Sequence, residues 1–172
     1  ESIKECKSAN IRAVMLTGDN LLTAYTIAKE VGICDTEAEC INAVELNNLN
    51  EKELIKTVKK YSVFARVSPE NKLQIVKAFQ KIGKVVAMTG DGVNDAPAIK
   101  LANVGIGMGK SGTDVTKDTS DIILLDDSFN TITVAIKEGR RIYDNVITNI
   151  LYNLSSNFTE IAIILFGMLT GN

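Results

Sequence analysis

Two stretches of this chain end in the same three residues. Val14-Met15-Leu16-Thr17-Gly18-Asp19 and Val86-Ala87-Met88-Thr89-Gly90-Asp91 each run from apolar residues into Thr-Gly-Asp. Each delivers a hydroxyl and a carboxylate to the end of an apolar segment. The second copy continues as Gly92-Val93-Asn94-Asp95-Ala96-Pro97, which places Asp91 and Asp95 four residues apart. Such a pair can hold a hard dication such as Mg²⁺ through oxygen, and carboxylates this close repel without one. Asn94 can donate to a phosphate oxygen or help position the metal's waters. Lys72 falls just inside a helix opened by Ser68-Pro69-Glu70, where its ammonium can neutralise a phosphoryl group or a carboxylate. Hydroxyl, cation and metal carboxylates are the parts phosphoryl transfer needs, because that chemistry is mostly positioning and charge stabilisation. A nucleophile is not evident, since Asp19 and Asp91 are needed for other tasks.

The elements that carry these residues alternate. Ile11 to Leu16 reads as a buried strand. Leu22 to Val31 has helical spacing and stops at Gly32. Residues 34–50 are polar and irregular. A helix from about Asn50 to Lys60 leads to a strand at Val63 to Arg66. Ser68 as N-cap, Pro69 in the first turn and Glu70 near the positive end start a helix that runs to about Ile82. Then come a strand at Lys84 to Met88, a glycine-rich turn from Thr89 to Asp95, a helix at Ala96 to Ala102, a strand at Val104 to Met108, a helix at Asp114 to Thr119 and a strand at Ile122 to Leu125. This alternation predicts an α/β fold with a parallel sheet and helices on both faces. Ligands of open parallel sheets bind beyond the C-terminal strand ends, where both Thr-Gly-Asp tripeptides sit. Glycine there is expected to let the backbone turn sharply.

From about Phe129 the pattern becomes one long helix. Its first part is charged (Lys137, Glu138, Arg140, Arg141, Asp144); after Asp144 there is no Lys or Arg, and the only acid is Glu160. That length without a basic group can span a bilayer core. The span is polar for a lipid-facing helix (Asn149, Asn153, Ser155, Ser156, Asn157, Thr159), which suits a helix inside a bundle that lines an ion path. An amphipathic soluble helix is the competing reading. The expected division is 1–128 and 129–172.

Composition removes other classes. The chain has 172 residues, a net charge of -2 and no histidine, which excludes imidazole bases and His-ligated zinc. The slight negative charge argues against a nucleic-acid partner. Cys6, Cys34 and Cys40 lack CxxC spacing, as expected of reduced, partly buried thiols in a cytosolic setting. Both termini read as cuts in a longer protein.

Met15-Leu16-Thr17-Gly18-Asp19-Asn20, Phe64-Ala65-Arg66-Val67-Ser68-Pro69-Glu70-Asn71-Lys72, Met88 to Ala98 and Gly105-Ile106-Gly107-Met108-Gly109 together resemble the P-type ATPases of the haloacid dehalogenase superfamily. The resemblance covers essentially the whole chain. It implies a Rossmann-like phosphorylation domain followed by a stalk helix that continues into a transmembrane helix. It further implies that Thr17 bonds the phosphoryl oxygens, with Gly18 in the same motif, and that Asp19 lies near the nucleotide and the domain hinge. Lys72 balances charge, Asp91 ligates Mg²⁺, and Asn94 and Asp95 support the site. Arg66, Thr89 and Gly90 are the implied nucleotide-side residues. Ser155 to Glu160 is similar to the cation-site segment of calcium and sodium/potassium pumps. Asn157 and Glu160 there share one helical face and are the implied ligands of a transported cation, Ca²⁺ being favoured. ATP, Mg²⁺, the membrane and the remaining pump domains are the implied cofactors and partners, with residues 1–140 cytoplasmic in a multi-pass parent. The Asp-Lys-Thr-Gly-Thr signature that carries the family's phosphorylated aspartate is absent from this sequence, so the chain is expected to lack ATPase activity alone. A soluble phosphatase of the same superfamily would need an N-terminal Asp-x-Asp, which is also absent. A non-catalytic binding module remains the other alternative.

Overall fold

The computed structural model describes residues 2–171 and divides into two units, 1–131 and 132–172. The first unit holds six strands in two parallel sheets of three rather than one continuous sheet. In the first, β1 (Met15–Leu16) and β2 (Cys40–Asn42) flank β3 (Val63–Ala65), with Met15 opposite Val63 and Ile41 opposite Phe64. In the second, β5 (Val104–Met108) lies between β4 (Ala87–Gly90) and β6 (Ile122–Leu124), with Thr89 opposite Ile106. The helices are α1 (Ser2–Ser8), α2 (Leu21–Val31), α3 (Glu51–Lys60), α4 (Pro69–Lys81), α5 (Ala96–Leu101), α6 (Asp114–Thr119) and α7 (Phe129–Thr170), with 3-10 turns at Glu37–Glu39 and Ala43–Asn48.

Local chemistry sets the helix starts. Asn50 and Glu53 cap α3 reciprocally, each side chain accepting the other's amide at 3.0 and 2.9 Å. Ser68 and Asn71 do the same for α4, with Pro69 at its first position. Each box satisfies two amides that the helix itself leaves open. At the other end of α3, the Arg12 guanidinium donates to the carbonyls of Val58, Lys59 and Tyr61, a cation placed at the negative pole of the helix.

Strand β3 is the centre of the packing. Its alternation sends Phe64 to one face, against Leu46, Val58 and Ile75, and Val63 and Ala65 to the other, against Ala24, Ala28, Cys34 and Cys40. Phe64 is fully buried, so Phe64→Ala should cost about 3–5 kcal/mol. A third cluster joins Val76 of α4 to Met88, Ala98 and Ile99, with Leu16 of β1 packed on it. Helix α4 therefore contributes to the cores beneath both sheets and fixes the position of its own first turn, where Lys72 sits.

The second unit is helical. Helix α7 has 42 residues, a contour of about 63 Å at 1.5 Å per residue, and is long and apolar enough to cross a membrane.

Candidate functional site

The first Thr-Gly-Asp follows β1 and is closed on itself. The Thr17 hydroxyl donates to the Asp19 carboxylate at 2.9 Å, and the Asp19 amide returns a bond to Thr17 Oγ1 at 3.1 Å. The segment after β3 holds this corner through its backbone: Arg66 N–H donates to the Asp19 carbonyl and Val67 N–H to that of Thr17, both at 2.9 Å. Arg66 takes a left-handed backbone (φ 51°) to do so, an unusual conformation for a long side chain. Asn20 then caps α2 by accepting the Thr23 amide at 3.0 Å.

The second Thr-Gly-Asp lies at the end of β4 and is held from outside. The Asp91 carbonyl accepts the Thr113 amide at 3.0 Å. The buried Thr116 hydroxyl donates to the Gly92 carbonyl at 3.1 Å. These bonds fix the Asp91 backbone, while no hydrogen bond or ion pair among the described residues reaches its exposed carboxylate. Asn94 is exposed beside it in sequence.

Asp95 is different. It is buried and forms an ion pair with Lys72. Its other oxygen accepts a long bond of 3.4 Å from the Gly92 amide. Lys72 thus finds the carboxylate partner that its position allowed for. The structure brings together Lys72 with Asp95 and Thr17 with Asp19. A route of backbone and side-chain bonds links the two corners, from Thr17 through Val67 into α4, then through the Lys72–Asp95 ion pair to the Gly92 amide. Asn157 and Glu160 belong to the second unit, exposed on α7.

The glycines act differently from the expectation. Neither Gly18 nor Gly90 has a positive φ, so a sharp left-handed turn is not their reason. A Cβ on Gly90 would stand 2.5 Å from the Asp95 Cβ, whereas one on Gly18 would meet nothing within 4 Å. Gly90 is therefore the space into which the Asp95 side chain fits.

Three supporting residues escaped sequence reasoning: Thr113, Thr116 and Asp127. Asp127 accepts the amides of Lys110 at 2.9 Å and Ser111 at 2.7 Å. The Lys110 amide first, then that of Ser111, holds its carboxyl down to about 2. Its neighbour Asp126 accepts the Thr131 hydroxyl at 2.6 Å and the Ser128 amide at 3.1 Å, and these two bonds hold its carboxyl below the usual range. An Asp-rich stretch just ahead of a helix is a start signal and could have marked this pair. The bonds to Lys110 and Ser111 had no such local signal.

The sequence model of the haloacid dehalogenase-like hydrolases matches residues 1–103. The chain belongs to this family. This haloacid dehalogenase-like chain is 53% identical to a calcium-transporting ATPase of Bacillus subtilis (strain 168) over 98% of its own length and 19% of the relative's. It is 50% identical to calcium-transporting ATPase 1 of Bacillus cereus over 99% of its length and 19% of that relative's. The chain spans about a fifth of these relatives. A crystal structure of a zinc-transporting PIB-type ATPase in its E2.Pi state matches with a TM-score of 0.65 and 31% identity, covering 86% of this chain and 20% of that one. Homology to a segment of P-type ATPases therefore extends beyond the matched domain and into the long helix.

Proposed function

We propose that this chain supplies the Mg²⁺- and phosphoryl-binding half of a cation pump's phosphorylation site, together with one helix of its transport path. The observation that carries the reading is the Asp91 corner. Its backbone is held by Thr113 while its carboxylate is left open, in a chain about half identical to calcium-transporting ATPases.

The donor set fits Mg²⁺. No group of three or more Asp, Glu, Cys or His side chains that could hold a metal exists among the described residues. Mg²⁺ needs no such cage, because it keeps several waters and takes one or two carboxylates alongside phosphate oxygens. Asp91 would hold it, with Asn94 beside it, and it would neutralise developing charge on a phosphoryl group. Asp95 serves this reading through Lys72, whose ammonium it fixes in place. Thr17 is assigned to a phosphoryl oxygen; its single O–H is donated to Asp19 in this structure, so binding a phosphoryl group requires that hydroxyl to turn from the carboxylate to the ligand. Arg66, Thr89 and Gly90 are the proposed nucleotide-side residues of the parent pump.

In the second unit, Asn157 and Glu160 lie three apart on a helix long and apolar enough to cross a membrane. A carboxylate in such a span is costly without a partner. Both are assigned here to the transported cation, with Ca²⁺ favoured from the relatives' names. Residues 1–140 are placed on the cytoplasmic side.

Mn²⁺ titration of the chain in detergent, followed by the free-ion paramagnetic signal, tests the first claim. Asp91→Ala should weaken binding at least tenfold, which is ~1.4 kcal/mol, and Asp19→Ala should weaken it far less. Equal losses in the two variants would remove Asp91 from its assigned role. The chain alone should not turn over ATP, and Mg²⁺-dependent hydrolysis by it would overturn the half-site reading.

A further inference from the structure

We infer that Asp126 and Asp127 form a bracket that positions the Asp91 corner and fastens it to the first turn of α7. The inference rests on the reading of Asp91 as the cation-holding residue and adds a positioning role that the mechanism above does not use. The two carboxylates are adjacent in sequence and bind in opposite directions. Asp127 reaches back 16 and 17 residues, to the amides of Ser111 and Lys110. Asp126 reaches forward, to the Ser128 amide and the Thr131 hydroxyl at the start of α7.

The segment between Asp127 and Asp91 has little slack. The Gly109 amide donates to the Leu124 carbonyl at 2.8 Å, and the Asp127 amide donates to the same carbonyl at 3.2 Å. A Cβ on Gly112 would lie 2.0 Å from the Met108 carbonyl oxygen, and one on Gly109 would lie 2.6 Å from that of Leu124. The next residue is Thr113, whose amide holds the Asp91 carbonyl and whose hydroxyl caps α6 by accepting the Thr116 amide. Thr116, fully buried, in turn holds Gly92. A path of hydrogen bonds and short stretches of backbone therefore runs from the first turn of α7 to Asp91. Asp127 adopts a left-handed backbone, φ 57°, a conformation that Asp tolerates better than most residues and that the two amide bonds compensate. A displacement of the first turn of α7 must be transmitted to this loop or must break these bonds.

Two measurements on the 172-residue chain in detergent separate positioning from plain stability. In Mn²⁺ titration, Asp127→Ala should weaken binding about fivefold or more, and Asp127→Asn, which keeps one acceptor oxygen, should fall between it and wild type. Val58→Ala, in the core cluster around Phe64, supplies a destabilised control that should bind Mn²⁺ within twofold of wild type. In hydrogen exchange, Asp127→Ala should speed the Thr113 amide at least tenfold relative to the Phe64 amide, and Val58→Ala should not. Wild-type affinity in Asp127→Ala, or an equal loss in Val58→Ala, would overturn the bracket. If the wild-type chain binds no Mn²⁺, the reading of Asp91 fails instead, and the exchange of Thr113 alone decides whether the bracket exists.

Discussion

The two Thr-Gly-Asp corners carry the same tripeptide at the same kind of strand end, yet they are stabilised in opposite ways. At the first, Thr17 and Asp19 bond to each other and the glycine between them faces open space. At the second, the glycine is filled by Asp95, the backbone is held by residues more than 20 positions downstream, and the Asp91 carboxylate has no protein partner among the described residues. A tripeptide motif thus specifies which atoms arrive at a sheet edge. The neighbouring loops decide which of those atoms are already satisfied and which are left for a ligand. By this criterion the first corner is a self-contained turn whose hydroxyl is already paired with Asp19, and the second is a braced platform that presents a charge.

The largest expected difference lies in the ion pair, which only the second corner has. Lys72→Ala leaves the buried Asp95 carboxylate without its cation and should cost about 3 kcal/mol, the penalty for an uncompensated buried charge. Urea denaturation measures it. Lys72→Ala combined with Asp95→Ala should recover part of the loss, since no charge is then stranded. A single variant as stable as wild type would show that solvent already screens Asp95, and the contrast between the corners would weaken.

Glycine replacement gives the next largest contrast. Gly90→Ala forces a methyl against the Asp95 side chain at 2.5 Å and should cost about 2 kcal/mol through overpacking. Gly18→Ala has free space and an ordinary backbone, so it should stay within about 0.5 kcal/mol of wild type. Equal melting shifts for the two variants would break the comparison. Below these, Asn20→Ala removes the cap of α2 and should cost about 1 kcal/mol, an effect confined to the first corner and visible in thermal melts.

Much of this arrangement was legible in the sequence, and the exceptions share a cause. Capping residues are local signals, so Asn50 and Ser68 marked the starts of α3 and α4, and β5 and α6 have the bounds that their apolar and polar runs suggested. Strand β2 was missed within the polar stretch 34–50 because Cys40-Ile41-Asn42 becomes a strand only by pairing with β3. The strand expected from Ile11 shrank to Met15–Leu16, since its ladder with β3 covers only those two residues. A single sheet was expected, and two were found, because the strand pattern of a sequence does not say which edges pair. Residue types at the site were readable, but their allegiances were not. Lys72 could have served a phosphate or a carboxylate, and only the fold brings it to Asp95. The bonds from Asp127 to Lys110 and Ser111 span a strand and a helix, so no local spacing announces them.

The smallest effect expected is an acid limb that belongs to the bracing of the second corner. The Asp127 carboxyl stands at about 2, below the roughly 3.9 of an unfolded aspartate. Between these values the unfolded chain binds more protons than the folded one, so stability falls as pH falls. The contribution is fully present above about pH 4 and is lost progressively toward pH 2. Asp126 titrates in the same direction, as does Glu39, whose carboxylate accepts the Asp35 and Thr36 amides far from this loop. Urea midpoints measured at pH 5, 4 and 3 should therefore decline in wild type and decline less in Asp127→Asn, with the Thr113 amide losing exchange protection along the same curve. If Asp127→Asn follows the wild-type curve while Glu39→Gln flattens it, acid sensitivity resides at the Glu39 turn, and the bracing of Asp91 is indifferent to pH.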